Sequence, residues 1–225
     1  MAGKLIVIEG TDGSGKKTQT QLLVQRLQKE GRPVSTFSFP QYGKKSAGPT
    51  EEYLNGRYGP ASGVNSYAAS IFYAVDRFDL SQEIKKQLSE GKTVVSDRYV
   101  DSSAGHQGGK MDDLKERKKY VDWLYDLEYR IFGIPKPDLV LILHVPAEVG
   151  QQLVDKKPVR DYIEHGKRDV HEADPNHLKK AEESYLWLAK NDPAGHKLVE
   201  CVKDGQLLSP EEIHNLVYKA VVSLI

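Results

Sequence analysis

Five short apolar runs alternate along the chain with longer stretches in which apolar residues recur at helical spacing. The runs are rich in Val, Ile and Leu, and we interpret them as buried strands. The predicted strands cover residues 5–8, 34–39, 93–96, 139–145 and 197–202. The predicted helices cover residues 18–29, 64–88, 113–132, 147–156, 175–190 and 210–224. Glycine and proline mark several element ends, as at Gly31 and Pro33.

The alternation of strands and helices predicts an α/β fold. Strands that are apolar throughout are buried on both faces, so we expect a parallel sheet covered by helices on both sides. Ligands of such folds bind at the carboxyl ends of the strands. We therefore expect functional residues in the loops after Ile8, Phe39, Ser96 and Val145.

Composition limits the classes of function. The 225 residues carry 32 Lys and Arg against 32 Asp and Glu, which argues against a nucleic-acid partner or an anionic membrane. The one cysteine, Cys201, lies in an apolar run, and we expect an unreactive thiol in a reducing compartment. No run approaches the ~20 apolar residues of a spanning helix, and the first residues do not resemble a signal peptide. We expect one cytoplasmic domain over residues 1–225, since no linker-like segment divides it.

A glycine-rich segment with the pattern G-x-x-x-x-G-K directly follows the first predicted strand. Its glycines allow backbone N–H groups to curl around phosphate oxygens, and the following helix directs its positive end at the same anion. Lys16 supplies a mobile positive charge for the β- and γ-phosphates. This pattern, between a strand and a helix, predicts a nucleotide-binding phosphate loop. The alternative is a glycine-rich turn that binds no nucleotide.

One position departs from the phosphate-loop pattern. The residue after Lys16 is ordinarily Ser or Thr, whose hydroxyl binds Mg²⁺, and here it is Lys17. Thr18 follows, but one residue rotates a helix by ~100°. Our hypothesis is that phosphate oxygens, waters and a carboxylate elsewhere hold Mg²⁺, with Lys17 directed toward solvent or phosphate.

A second polar motif, Asp97-Arg98-Tyr99, directly follows the third predicted strand. An aspartate at this place can hold a metal-bound water, and the arginine can bind phosphate. A surface Asp–Arg pair without function is the alternative interpretation.

Several segments in this order resemble the thymidylate kinase (dTMP kinase) family over nearly the whole chain. They are GTDGSGKKTQTQLL, FPQYG, YAVDRF, VVSDRYVDSSAGHQ and PKPDLVLILHVPAEV. The departures noted here place the chain in a divergent, bacterial-type branch. The resemblance implies transfer of the γ-phosphoryl group of Mg·ATP to dTMP, giving dTDP for dTTP biosynthesis. It also implies a P-loop NTPase three-layer sandwich with a five-stranded parallel sheet, a mobile lid and a homodimer.

The resemblance also implies roles for single residues. Lys16 and Thr18 contact the ATP phosphates, and Asp12 lies near the 3′-hydroxyl of the substrate sugar. Asp97 is the metal-binding and catalytic acid, and Arg98 contacts the transferred or accepting phosphate. The implied ATP-binding residues are Gly10, Asp12, Gly13, Ser14, Gly15, Lys16, Lys17 and Thr18.

In the implied substrate site, Arg77 reaches the thymine carbonyl and Tyr73 stacks on the base. Phe72 is the alternative to Tyr73, because the alignment can slip by one residue. Phe39, Pro40, Ser102, His106 and Gln107 match further positions of the substrate site. The implied lid covers residues 156–169, where Arg160, ahead of Arg168, is the candidate for the transition-state arginine.

Two further departures concern the substrate site. His106 stands where the family often has an aromatic residue. The family usually carries an arginine for the dTMP phosphate in the FP segment, but Phe39-Pro40-Gln41-Tyr42 has none, although Lys44 and Lys45 follow. Two alternatives therefore stay open. One is a kinase of another nucleoside or deoxynucleoside monophosphate. The other is a nucleotide-binding P-loop protein with little transfer activity.

Overall fold

The computed structural model describes residues 3–155 and 175–225. Five strands form one parallel sheet in the order β2-β3-β1-β4-β5. They are β1 (Lys4–Glu9), β2 (Val34–Ser38), β3 (Thr93–Asp97), β4 (Leu139–His144) and β5 (His196–Glu200). The central strand β1 pairs Ile8 with Asp97 of β3 and with Leu141 of β4. The loops after β1 and β3 therefore leave the same edge of the sheet side by side.

Helices cover both faces of the sheet. They are α1 (Lys16–Lys29), α2 (Gly48–Leu54), α3 (Ser66–Ser89), α4 (Val100–His106), α5 (Leu114–Tyr125), α6 (Ala147–Asp155), α7 (Pro175–Asn191) and α8 (Pro210–Val221). A π-helix (Asp126–Ile131) continues α5, and short 3-10 helices occupy Lys45–Ala47 and Gly108–Lys110. No helix of the described ranges is long and apolar enough to cross a bilayer.

The side chains of β1 divide between two apolar cores with the two-residue period of a strand. Leu5 and Val7 belong to the core shared with α3, α4, α5 and α7. Ile6 and Ile8 belong to the core on the opposite face, under α1 and α8. All four are fully buried, and burial of each such side chain contributes roughly 1.5–3 kcal/mol. The sheet is thus the middle layer of three, as predicted.

The five predicted strands are confirmed, with boundaries that shift by at most two residues. The predicted end of the fifth strand at residue 202 is wrong, because β5 ends at Glu200. A small antiparallel hairpin follows, formed by β6 (Val202–Lys203) and β7 (Gln206–Leu207). Cys201 lies between β5 and this hairpin as a buried free thiol, and burial raises its pKa to about 12. The predicted helix over 113–132 is also wrong in part, because the α-helix gives way to the π-helix.

Candidate active site

The phosphate loop occupies the turn between β1 and α1. Its glycines are required for steric reasons at two positions, where φ is 141° at Gly10 and 86° at Gly13. A Cβ at Gly10 would lie 2.6 Å from the carbonyl oxygen of Leu143, and one at Gly13 would lie 2.3 Å from that of Gly150. The loop therefore packs against β4 and α6 at distances that only glycine allows.

The positive end of α1 is open to an anion. Its N-cap is Gly15 in the left-handed conformation, and no side chain of the described residues caps the helix. The hydroxyl groups of Thr11 and Ser14 are buried in the loop without a hydrogen-bond partner in the part of the chain that the structure describes. Uncapped N–H groups and unsatisfied hydroxyls together make a site for phosphate oxygens.

Lys16 folds back over this loop. Its Nζ donates hydrogen bonds to the carbonyl oxygens of Gly10 at 3.0 Å and Thr11 at 2.8 Å. Burial, with a smaller effect from the charge of Arg98, lowers the pKa of Lys16 to about 7. Lys17 and Thr18 are exposed on the first turn of α1. Lys16 is thus the lysine nearest the anion site, and an entering phosphate would favour its charged form.

The Asp97-Arg98 motif meets the phosphate loop directly. Arg98 adopts a left-handed backbone with a φ of 67°, which costs a non-glycine residue about 1–3 kcal/mol. Its backbone N–H donates to the carbonyl oxygen of Ile8 at 3.0 Å, and its Nη2 forms a short ion pair with Asp12. Burial opposes the charge of Arg98, but the charge of Asp12, with smaller effects from Tyr185, Glu9 and Asp97, outweighs burial and holds the pKa of Arg98 well above its ordinary value.

A cavity opens beside the Asp12–Arg98 pair. The predicted substrate residues that line it are Asp12, Phe39, Pro40, Tyr73, Arg77, Arg98, Ser102, His106 and Gln107. Tyr42, Leu54, Asp76, Tyr99 and Ser103 also line it and were not predicted. Phe72 lies outside this lining and packs against the rings of Tyr53 and Tyr58, at centroid distances of 6.2 and 5.3 Å. This placement favours Tyr73 over Phe72 as the stacking residue.

Arg77 is the most buried cation of the site. Its side chain is 1% exposed and forms a two-point ion pair with Glu128, with N–O distances of 2.5 and 2.7 Å. It also donates to the carbonyl oxygen of Tyr99 and to Oγ of Ser103. Burial lowers the pKa of Arg77, but the charge and hydrogen bonds of Glu128, with smaller effects from Tyr99 and Glu9, together outweigh burial and raise the pKa above its ordinary value. Of its five N–H groups, one on Nη1 has no partner among the described residues.

His106 occupies the place of the family's aromatic residue and is buried. Its Nε2 lies 3.4 Å from Nη1 of Arg98, and its Nδ1 lies 3.0 Å from Nε2 of His177 on α7. Burial holds the pKa of His106 well below its ordinary value, so the ring is neutral. Since Arg98 can only donate, Nε2 of His106 accepts and Nδ1 carries the proton.

Gln41 does not bring a charge to the cavity. Its backbone N–H donates to Asp76 at 2.8 Å and its Nε2 donates to the same carboxylate at 3.0 Å. Ser46 adds a third hydrogen bond to Asp76 at 2.7 Å. The backbone and side-chain amides of Gln41 and the hydroxyl of Ser46 thus satisfy Asp76, and the FPQY segment contributes no arginine to the cavity.

Asp97 is the residue that the sequence predicts to hold Mg²⁺. It ends β3 opposite Ile8, at the edge from which the phosphate loop leaves. No group of three metal-ligating side chains occurs in the described ranges. One carboxylate suits Mg²⁺, which commonly takes one or two carboxylates and fills its other positions with waters and substrate phosphates. The residues present therefore fit a metal that arrives with a nucleotide.

The phosphate loop thus opens beside a second cavity that has an arginine at its mouth. This is the arrangement of the P-loop nucleoside monophosphate kinases. The family model for thymidylate kinase matches residues 8–200. The chain is 33% identical over 198 residues to the thymidylate kinase of Mycobacterium tuberculosis, which covers 87% of this chain and 90% of that one. It is 31% identical over 219 residues to the probable thymidylate kinase of Thermococcus onnurineus, covering 93% of each chain. The protein therefore belongs to the thymidylate kinase family.

A solved structure shares the fold over nearly the whole chain. It is the thymidylate kinase from Candida albicans, with a TM-score of 0.74 at 23% sequence identity, and the match covers 99% of this chain and 92% of that one. The predicted P-loop NTPase fold is therefore confirmed. The predicted lid over residues 156–169, with Arg160 and Arg168, lies outside the described residues and stays a prediction.

Proposed function

We propose that this protein phosphorylates dTMP to dTDP with ATP, in the synthesis of dTTP. The single observation that supports this most is the contact between Asp12 of the phosphate loop and Arg98 at the mouth of the cavity. Through this ion pair, the loop that we expect to bind the ATP phosphates contacts the cavity that we expect to hold the acceptor. Family membership supplies the identity of the acceptor base.

The geometry supports direct in-line transfer without a covalent enzyme intermediate. An oxygen of the dTMP phosphate attacks the γ-phosphorus of ATP, and ADP leaves with the electrons of the broken bond. Lys16 and the loop N–H groups neutralise the charge on the donor side, and Arg98 does so on the acceptor side. Mg²⁺, held by Asp97, would add charge neutralisation on the phosphate oxygens of ATP. Arg160 remains our candidate for a further cation at the transition state.

The base would lie deeper in the cavity. We propose that Tyr73 stacks on thymine and that the remaining N–H of Arg77 donates to a thymine carbonyl. Oε1 of Gln107 is buried, lines the cavity and has no partner among the described residues, so it can accept a hydrogen bond from the ring. Asp12 would receive the 3′-hydroxyl of the sugar. Each of these roles remains a proposal.

We also propose that residues 1–225 act as one kinase domain and assemble as a homodimer. The outer face of α3 carries Ile71, Val75 and Phe78, which are 44%, 43% and 47% exposed and follow helical spacing. Exposed apolar stripes of this kind favour association of chains. Changing Val75 to Asp should give a monomer by light scattering, and a wild-type monomer would contradict this part.

A buried cysteine and no disulfide suit the cytoplasm, which we propose as the location.

The kinase proposal is tested with labelled ATP and a panel of nucleoside monophosphates. We expect the label of [γ-³²P]ATP to appear in dTDP, with higher kcat/KM for dTMP than for dGMP, dCMP or dUMP. Lys16→Ala should lower the rate at least about 100-fold, because it removes the phosphate-binding cation. Lys29→Ala, at the far end of the same helix, is the matched control and should leave the rate unchanged.

Two results would support other functions. Faster turnover of another monophosphate would favour a kinase of different base selectivity, which Gln41 and His106 keep open. Label in free phosphate alone would favour a nucleotide-binding protein with weak hydrolysis.

A further inference from the structure

Glu9 is a buried carboxylate that the mechanism above does not use. It is the last residue of β1, directly before the phosphate loop, and is fully buried. Its oxygens accept hydrogen bonds from the backbone N–H of Tyr99 at 2.7 Å, from Oγ of Ser102 at 2.8 Å and from the hydroxyl of Tyr185 at 2.9 Å. Among the described residues it forms no ion pair. A buried carboxylate held only by neutral donors is costly, so its position requires an explanation.

The contacts of Glu9 converge on Arg98. Tyr99, whose N–H it receives, directly follows Arg98 and its left-handed backbone. Ser102, whose hydroxyl donates to Glu9, accepts a hydrogen bond from Nη1 of Arg98 at 3.3 Å. The other guanidinium nitrogen, Nη2, is held by Asp12. Asp12 thus contacts one end of the guanidinium directly, and Glu9 reaches the other end through Ser102.

We propose that Glu9 is a positioning residue, which holds Arg98 through Ser102 and the Tyr99 N–H in the orientation that meets the acceptor phosphate. This inference rests on the proposed kinase function. It explains why two of the three donors to Glu9 come from the segment directly after Arg98. The alternative is that Glu9 only satisfies buried donors and stabilises the fold.

Glutamine at position 9 separates these two interpretations. A carboxylate accepts on both oxygens, whereas an amide accepts on one and donates on the other. The glutamine in Glu9→Gln can still accept the hydrogen bond from the Tyr99 N–H. Its NH₂ group then faces the hydroxyls of Ser102 and Tyr185, which donate to Glu9 in wild type. Tyr185→Phe is the matched control, because it removes the hydroxyl that contacts Glu9 and Ser102 but leaves the hydrogen bonds that Glu9 accepts from the Tyr99 N–H and from Ser102.

The experiment measures kcat and KM for both substrates in the full chain. For Glu9→Gln we expect kcat/KM for dTMP to fall roughly 10–100-fold, as for a displaced catalytic group, with KM for ATP within threefold. Ser102→Ala should show the same pattern, and the double variant should lose no more than Glu9→Gln alone, since both break one path. Tyr185→Phe should stay within threefold of wild type. If Glu9→Gln does not fold, Glu9→Asp, which shortens the side chain by one methylene and so lengthens the same hydrogen bonds, takes its place in every comparison.

Three results would overturn the inference: unchanged kinetics in Glu9→Gln, equal losses for dTMP and ATP, or equal losses in Tyr185→Phe. A second readout does not need activity. The Nη signals of Arg98, assigned by their loss in Arg98→Lys, should be resolved in the NMR spectrum of ¹⁵N-arginine-labelled wild type and should merge in Glu9→Gln as rotation becomes free. If wild type does not phosphorylate dTMP, the proposed function fails, while unchanged Arg98 signals would still overturn the positioning role.

Discussion

Removing the charge of Glu128 should destabilise the protein strongly, although the residue lies behind the cavity and outside its lining. The Arg77–Glu128 pair is 1% and 0% exposed, and both carboxylate oxygens receive N–H groups of Arg77. Glu128→Gln keeps the shape of the side chain but leaves the guanidinium as a buried cation without a counter-charge. Breaking a buried pair in this way costs about 3–5 kcal/mol.

This energy converts into a large change of melting temperature. For domains of 150–250 residues, 1 kcal/mol corresponds to roughly 2–4 °C, so we expect the Tm of Glu128→Gln to fall by roughly 6–20 °C. Replacing both partners, as in Arg77→Met with Glu128→Leu, removes the buried charges together. Such exchanges are often neutral or stabilising, by about 1–4 kcal/mol. The double variant should therefore be more stable than the single one.

Urea denaturation followed by circular dichroism measures these differences. The control is Asp122→Asn, which breaks the Lys118–Asp122 pair on α5, whose side chains are 66% and 60% exposed. Little change is expected there, because solvent screens exposed pairs. A loss of less than about 1 kcal/mol in Glu128→Gln, or a double variant that is less stable than both wild type and Glu128→Gln, would contradict this prediction.

Two further predictions concern other parts of the fold. Gly105→Ala should lower the free energy of unfolding by about 1–3 kcal/mol through overpacking, because its Cβ would lie 2.5 Å from ring atoms of Tyr185. Gly48→Ala is the control, because its Cβ would meet no packed neighbour within 4 Å, and it should keep or raise the Tm. The contribution of His196 to stability should depend on pH: burial opposes its charge, but the hydrogen bond and charge of Asp101 raise its pKa. That contribution is complete below about pH 6.5 and is lost as pH rises through the raised pKa, so His196→Gln should approach wild type in urea melts at alkaline pH; a gap that widens there would contradict this.

The sequence predicts the parts of this molecule that rest on local pattern. The central strands β1 and β4 are apolar and buried over most of their length, whereas β2 and β5 at the sheet edges carry more polar and exposed residues. The phosphate loop and the Asp97-Arg98 motif each lie within a few residues. The helices α2 and α4 were missed because they are short and contain glycine, serine and proline, so their apolar positions show no clear period. Gly105 lowers the helix propensity of α4. The need for glycine at this position becomes clear only from the contact of α4 with Tyr185 on α7.

The partners of the site residues could not be predicted, because they are distant in sequence. Glu128 lies 51 residues from Arg77, and His177 lies 71 residues from His106. Neither carries a motif that marks it, since a glutamate in a helix is ordinarily exposed. Only the packing of the π-helix and α7 against α3 and α4 brings these side chains next to Arg77 and His106 of the cavity.

The positions of these partners support the proposed division of labour between the two arginines. Arg77 is fully neutralised and almost fully buried, so it offers a fixed N–H group with little net charge, which suits a neutral base carbonyl. Arg98 is paired with Asp12, but these side chains are 19% and 12% exposed. Because the pair lies partly exposed at the mouth of the cavity, the guanidinium of Arg98 can turn toward an entering phosphate. The two negative charges of the phosphate outweigh the single negative charge of Asp12. Arg77, whose counter-charge is buried, therefore suits the base, and Arg98, whose counter-charge is partly exposed, suits the phosphate.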